Sequence, residues 1–120
     1  MELIALLSTG KGTWGQVAGL ISKGQWDKVI LVGESYAAEK FEIEDSTCEI
    51  EFIDVNFNRD ITDIVNELIE KLKPRIKGTE VALSIASGEG REHMALISAI
   101  LKVPAGIKLV VLTKDGIIEL

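Results

Sequence analysis

An α/β fold, with a doubly wound parallel sheet and a C-terminal antiparallel β-hairpin, is predicted by three features of the 120-residue sequence. Strand-like and helix-like segments alternate along the chain. Most of the strand-like runs are apolar on both faces, as strands buried under helices must be. Two glycine-rich turns each stand between such a run and a helix start: Ser8-Thr9-Gly10-Lys11-Gly12-Thr13-Trp14-Gly15 after Leu3–Leu7, and Ser87-Gly88-Glu89-Gly90-Arg91 after Val81–Ala86.

The elements follow in order. Leu3–Leu7 reads as a buried strand, and Trp14, Val17, Ala18 and Ile21 then recur at helical spacing up to a stop at Gly24. Lys28–Gly33 is a second buried strand, and Tyr36–Lys40 fits a short helix. Cys48–Val55 alternates apolar and acidic residues, which suits a half-exposed strand near a sheet edge. Ile61, Ile64, Val65, Leu68, Ile69 and Leu72 form one stripe of a helix over Asp60–Lys73, with Asp60 placed to cap it and Pro74 beyond its end. Val81–Ala86 is the next buried strand, and a helix beginning at Glu89 or Arg91 runs to Lys102. Lys108–Thr113 and Ile117–Leu120 flank Lys114-Asp115-Gly116, and an Asp-Gly step between β-rich runs signals a hairpin. The expectation is one domain spanning residues 1–120, without internal repeats.

A strand, a glycine turn and a helix start place unpaired backbone N–H groups at the positive end of a helix dipole, and such a spot attracts phosphate. The two turns follow the first and fourth strands. In a Rossmann-like sheet of order 3-2-1-4-5 these strands are neighbours at the topological switch point, where ligands bind. Both turns are therefore expected to build one phosphate site. The first also contains G-x-G-x-x-G as Gly10, Gly12 and Gly15, and Glu34 lies about where dinucleotide-binding folds place a ribose-binding acid. No Walker-type phosphate loop occurs.

Composition narrows the partners. The chain is 47% hydrophobic, and 13 basic against 19 acidic residues give a net charge of −6, which speaks against coating long nucleic acid. A lone cysteine, Cys48, cannot form an internal disulfide, so a reducing cytoplasm is expected. No apolar run approaches a membrane span, and the N-terminus does not read as a signal peptide.

With the turns and hairpin placed, the chain resembles the CRISPR-associated Rossmann-fold (CARF) domain over essentially its whole length. The resemblance rests on the strand order, on Ser8-Thr9-Gly10, on Ser87-Gly88-Glu89-Gly90-Arg91 and on the closing Val110–Ile118. It implies a homodimer that binds cyclic oligoadenylate second messengers across its two-fold axis, through the loops after the first and fourth strands. Some members, the ring nucleases, also cut the ligand without metal, by attack of a ribose 2′-hydroxyl on the adjacent phosphate. Most carry a DNA-binding or nuclease domain after the Rossmann part. None follows here, so a sensor or sink in antiviral signalling is expected before an effector.

The expected ligand-binding residues are Ser8, Thr9, Gly10, Lys11, Gly12, Ser87, Gly88, Glu89, Gly90 and Arg91. Ser8 and Thr9 offer hydroxyl donors, the glycines admit close approach, and Arg91 can grip a phosphate through two donors. Lys11 and Ser8 are the catalytic candidates, Lys11 to stabilise charge developing at phosphorus. Glu89 and Glu92 fit the first helical turn electrostatically and are expected to face away from a phosphate. His93 fits acid–base work or structure, and Trp14 fits adenine stacking or the core. No metal pattern and no cofactor is expected. Met94–Val103 has only Ser98 and Lys102 as polar residues, so this helix needs burial on two sides, one by the sheet and one by a second chain. The alternatives are a non-catalytic regulatory module that binds NAD or ATP, and an interaction domain whose glycine turns are only structural.

Overall fold

The computed structural model describes residues 1–8, 11–43 and 48–120, with Lys11 in its backbone only. Strand β1 (Glu2–Leu7) leads through a 3₁₀ turn (Lys11–Thr13) into helix α1 (Trp14–Lys23). Then come β2 (Lys28–Gly33), α2 (Ser35–Lys40), β3 (Glu49–Asp54), α3 (Ile61–Leu72), β4 (Glu80–Ser84), α4 (Gly90–Lys102), β5 (Gly106–Thr113) and β6 (Gly116–Glu119). The six strands lie in the order β3-β2-β1-β4-β5-β6. All neighbours are parallel except the antiparallel pair β5–β6, so the predicted architecture is the observed one.

Two cores explain the doubly apolar strands. Ile4 and Leu6 of β1 point to one face with Ile30, Val32, Val81 and Leu83, under the inner stripes of α3 and α4. Leu3, Ala5 and Leu7 point to the other, with Val29, Leu31 and Ala82, under α1 and Ala37 of α2. Central β1 is therefore buried along its whole length. Burying each large aliphatic side chain contributes about 1.5–3 kcal/mol, which holds α3 through Ile64, Val65, Leu68 and Leu72. Asp60 stands at the N-cap of α3 but makes no side-chain cap hydrogen bond. Its carbonyl alone accepts from Asp63 and Ile64, so the buried stripe and not a carboxylate cap secures this helix.

Edge strand β3 is tied down by charge. Glu51 accepts from Lys28 of β2 at 3.0 Å and from Arg75, beyond α3, at 2.6 Å. The Lys28 and Arg75 hydrogen bonds, with their charges, hold the Glu51 carboxyl below the usual glutamate range. A carboxyl depressed in the folded state stabilises fully above its unfolded pKa, and that stabilisation is lost as pH falls through the lowered folded value. Glu51→Gln is therefore expected to cost on the order of 1 kcal/mol or less near neutral pH, because the trio is partly exposed. Melting curves from pH 7 to pH 2 should show the wild-type advantage vanishing in acid; an advantage that persists at the acid end would refute this account.

Candidate functional site

Adjacent β1 and β4 bring the two glycine turns together at their carboxyl ends, and a buried hydroxyl fastens one to the other. The Ser8 backbone N–H donates to Ser87 Oγ at 2.9 Å, and the two hydroxyl oxygens lie 3.3 Å apart. Ser87 is fully buried, so its hydroxyl serves this junction from inside the fold. His93 Nε2 lies 2.8 Å from the Ser87 carbonyl oxygen. A carbonyl can only accept, so Nε2 carries the proton and the imidazole braces the second turn. Trp14 Nε1 donates to the Ser8 carbonyl at 2.9 Å and braces the first. The indole is buried, edge-on to Phe41 at 5.9 Å and tilted against Tyr36 at 6.3 Å, which places it in the core.

Beside this junction opens a crevice of about 420 Å³. Leu7 and Ser8 line it from β1, Gly88, Glu89, Arg91 and Glu92 from the start of α4, and Glu34 and Ala37 from the β2–α2 region. Phe57 and Asn58, after β3, complete it. Arg91 shapes that last wall. It donates through Nη1 to the Phe57 carbonyl at 2.7 Å and through Nη2 to the Arg59 carbonyl. Two of its donors thus hold the β3–α3 loop over the crevice, leaving the others for a ligand.

Glu89 and Glu92 line the crevice, contrary to the expectation that they face away. They form a reciprocal capping box: Glu92 Oε1 accepts the Glu89 N–H at 2.8 Å, and the Glu89 side chain accepts the Glu92 N–H. Their charge is held by the helix N-terminus itself, which explains how two carboxylates sit together there. The same bonds remove two of the N–H groups that the second turn was expected to offer.

Among the other expected residues, Gly88 sits in the turn at φ +103°, and Gly12 and Gly90 are exposed. Thr9, Gly10 and the Lys11 side chain lie outside the described residues. Gly15 lies within α1, and a Cβ there would meet no atom within 4 Å. It therefore does not serve the close helix–strand packing of the third glycine in a dinucleotide fingerprint. Phe57 and Asn58 were not anticipated. Nothing in their local sequence marks them, because they reach the site through the Arg91 bonds from α4. Among the described residues, no group of three or more His, Cys, Asp or Glu side chains could hold a metal ion, and no helix is long and apolar enough to cross a membrane.

No protein-family model matches the chain, and no curated protein matches it in sequence. Solved structures do match. Can2 from Sulfobacillus thermosulfidooxidans, in complex with cyclic tetra-adenylate, superimposes with a TM-score of 0.70 at 12% identity, over 100% of this chain and 35% of that one. Enterococcus italicus Csm6 bound to cyclic hexa-2′-fluoro-hexa-dAMP gives 0.62 at 14% identity, over 91% of this chain and 32% of that one. Protein VC1899 from Vibrio cholerae gives 0.56 at 16% identity, over 98% of this chain and 33% of that one. The chain thus spans about a third of the length of each. The likeness reaches across the whole sheet, hairpin included, and the fold of this chain is CARF-like.

Proposed function

We propose that this chain is a cytoplasmic, single-domain homodimer that binds cyclic oligoadenylate, as a sensor or sink in CRISPR-linked antiviral signalling. One observation carries the reading: the turns after β1 and β4 are fastened together by Ser8 and Ser87 beside a nucleotide-sized crevice. Its support from likeness is that two of the matching structures hold cyclic adenylate-type ligands. A cyclic ligand with several phosphates suits two such crevices related by a two-fold axis. The outer face of α4 supplies a surface for the second chain, since Met94 and Leu101 are more than half exposed.

In this reading the first turn, Ser8 to Gly12, and the second, Ser87 to Arg91, hold the phosphates. Where the ring is cut, a ribose 2′-hydroxyl attacks the adjacent phosphorus and gives its proton to water, the P–O5′ bond breaks as a cyclic 2′,3′-phosphate forms, and the leaving 5′-oxygen takes up a proton from water. Lys11 stabilises the charge on phosphorus and Ser8 orients the phosphate, so no metal is needed. A module binding NAD or ATP is favoured only by Glu34 at the crevice and is opposed by the bare surroundings of Gly15.

The test is to mix the protein with cyclic oligoadenylates of different ring size and follow melting temperature and product. A saturating ring should raise the melting temperature, by about 2.7 kcal/mol of linkage at a hundredfold excess over Kd. If a product forms, Lys11→Ala should slow its formation. No shift and no cleavage with any ring size would sink the reading.

A further inference from the structure

The crevice has two chemically different ends. Toward the β1–β4 junction it offers hydroxyl and backbone groups of the turns and Arg91, beside the Glu89 and Glu92 carboxylates, which are already engaged by backbone N–H groups at the start of α4. Toward β2 and β3 it offers Glu34, Phe57 and Asn58. Glu34 is half-buried, directly after β2, and its carboxylate gives no cap hydrogen bond to the helix that follows. Unlike Glu51, Glu67, Glu89 and Glu92, it makes no ion pair or hydrogen bond through its side chain with any described residue. An ionised carboxylate is an acceptor only, so it repels phosphate and selects hydrogen-bond donors. Asn58, which lines the same crevice, can donate and accept, and Phe57 gives an apolar wall.

The backbone fixes this geometry tightly. Gly33, just before Glu34, has no room for a side chain, since a Cβ would lie 2.5 Å from the Leu7 carbonyl oxygen. Gly33 pairs with Leu7 at the end of the β1–β2 ladder, so Glu34 follows directly beyond the carboxyl end of that pair. Asn58 is pinned by Arg91, which holds the carbonyls on either side of it.

Resting on the proposed binding of cyclic oligoadenylate, we infer that Glu34 determines ligand specificity by accepting a hydrogen bond from the nucleoside, with Asn58 as the second contact. The donor is either the adenine exocyclic amino group or a ribose 2′-hydroxyl. A nucleoside unit would lie with its phosphates at the Ser8 end and this donor at the Glu34 end.

Calorimetric titration of the intact dimer tests the inference, using the tightest-binding cyclic oligoadenylate, the same ring with inosine for adenosine, and its 2′-deoxy form. The wild-type protein should bind one of the two analogues about tenfold or more weakly, as expected for a lost hydrogen bond to a charged group. Glu34→Ala, which removes the acceptor, should bind the parent ring comparably weakly and should no longer discriminate against that analogue. The inosine arm reports on the amino group and the deoxy arm on the hydroxyl. Melting temperatures without ligand serve as the folding control, and Asn58→Ala, on an exposed residue, should cost a smaller factor. Parent-ring binding unchanged in Glu34→Ala, or full discrimination retained by it, overturns the inference alone. Absence of binding by every ring overturns the functional reading and the inference together.

Discussion

Gly88→Ala is expected to lower the melting temperature by at least about 8 °C, at about 4 °C per kcal/mol for a chain of this size. Gly88 sits at φ +103°, where a side chain is strained whatever the space around it. There is also no space. A Cβ would lie well inside 3.0 Å of Leu6 Cδ2, and at 3.1 Å from His93 Nε2 and 3.2 Å from Glu92 Oε1. Leu6 is fully buried in the core under α4 and cannot retreat without opening a cavity. Backbone strain costs about 1–3 kcal/mol, and overpacking a dense core costs about 1–3 more. The neighbours make the damage functional as well, because His93 braces the turn and Glu92 caps α4. Gly90→Ala is the control: two residues on, a Cβ would meet nothing within 4 Å. Its melting temperature should stay within about 3 °C of wild type. Equal loss in the two variants would show that the turn is not held by packing at Gly88.

What the sequence revealed and what it hid divide along physical lines. Strand order and the meeting of the two turns were legible, because both follow from local patterns and from the handedness of parallel crossovers. Leu3–Leu7 is apolar at every position, which only a strand covered on both faces tolerates, and β1 is buried throughout. The roles of individual polar side chains were less legible. Arg91 looked like a phosphate ligand from its place in the turn, yet two of its donors close on carbonyls 32 and 34 positions away. Glu89 and Glu92 looked misplaced for an anion site until their mutual capping appeared. Phe57 and Asn58 carried no signal, since only the tertiary bonds of Arg91 bring their loop over the crevice. Pairing across such distances is set by the completed sheet and cannot be read from neighbouring residues.

Replacing Met94 and Leu101 together by Asp is expected to weaken self-association by about 30-fold or more, as loss of a central apolar contact worth about 2 kcal/mol would. The reason lies in the angular positions around α4. At 100° per residue, Ala95, Leu96, Ala99 and Ile100 face one way, and all four are buried against the sheet and α3. Met94, Ser98 and Leu101 face the opposite way, with Ile97 on the flank, partly packed against the core. Met94 is 64% exposed and Leu101 57%, with half-buried Ser98 between them. A helix in a lone globular domain normally turns charge outward on that face; this one turns a nearly continuous apolar strip. The inward face is already satisfied, so charge on the outer strip should leave each chain folded while penalising its burial in an interface. Sedimentation velocity over a concentration series should find a wild-type dimer and a predominantly monomeric double variant, with similar melting temperatures once dilution has separated the chains. If the ring lies across the two-fold axis, the variant should also bind it more weakly at low protein concentration and recover as concentration rises. A wild-type protein that is monomeric at micromolar concentration would remove the second chain from the site, and each crevice would then have to hold its ligand alone.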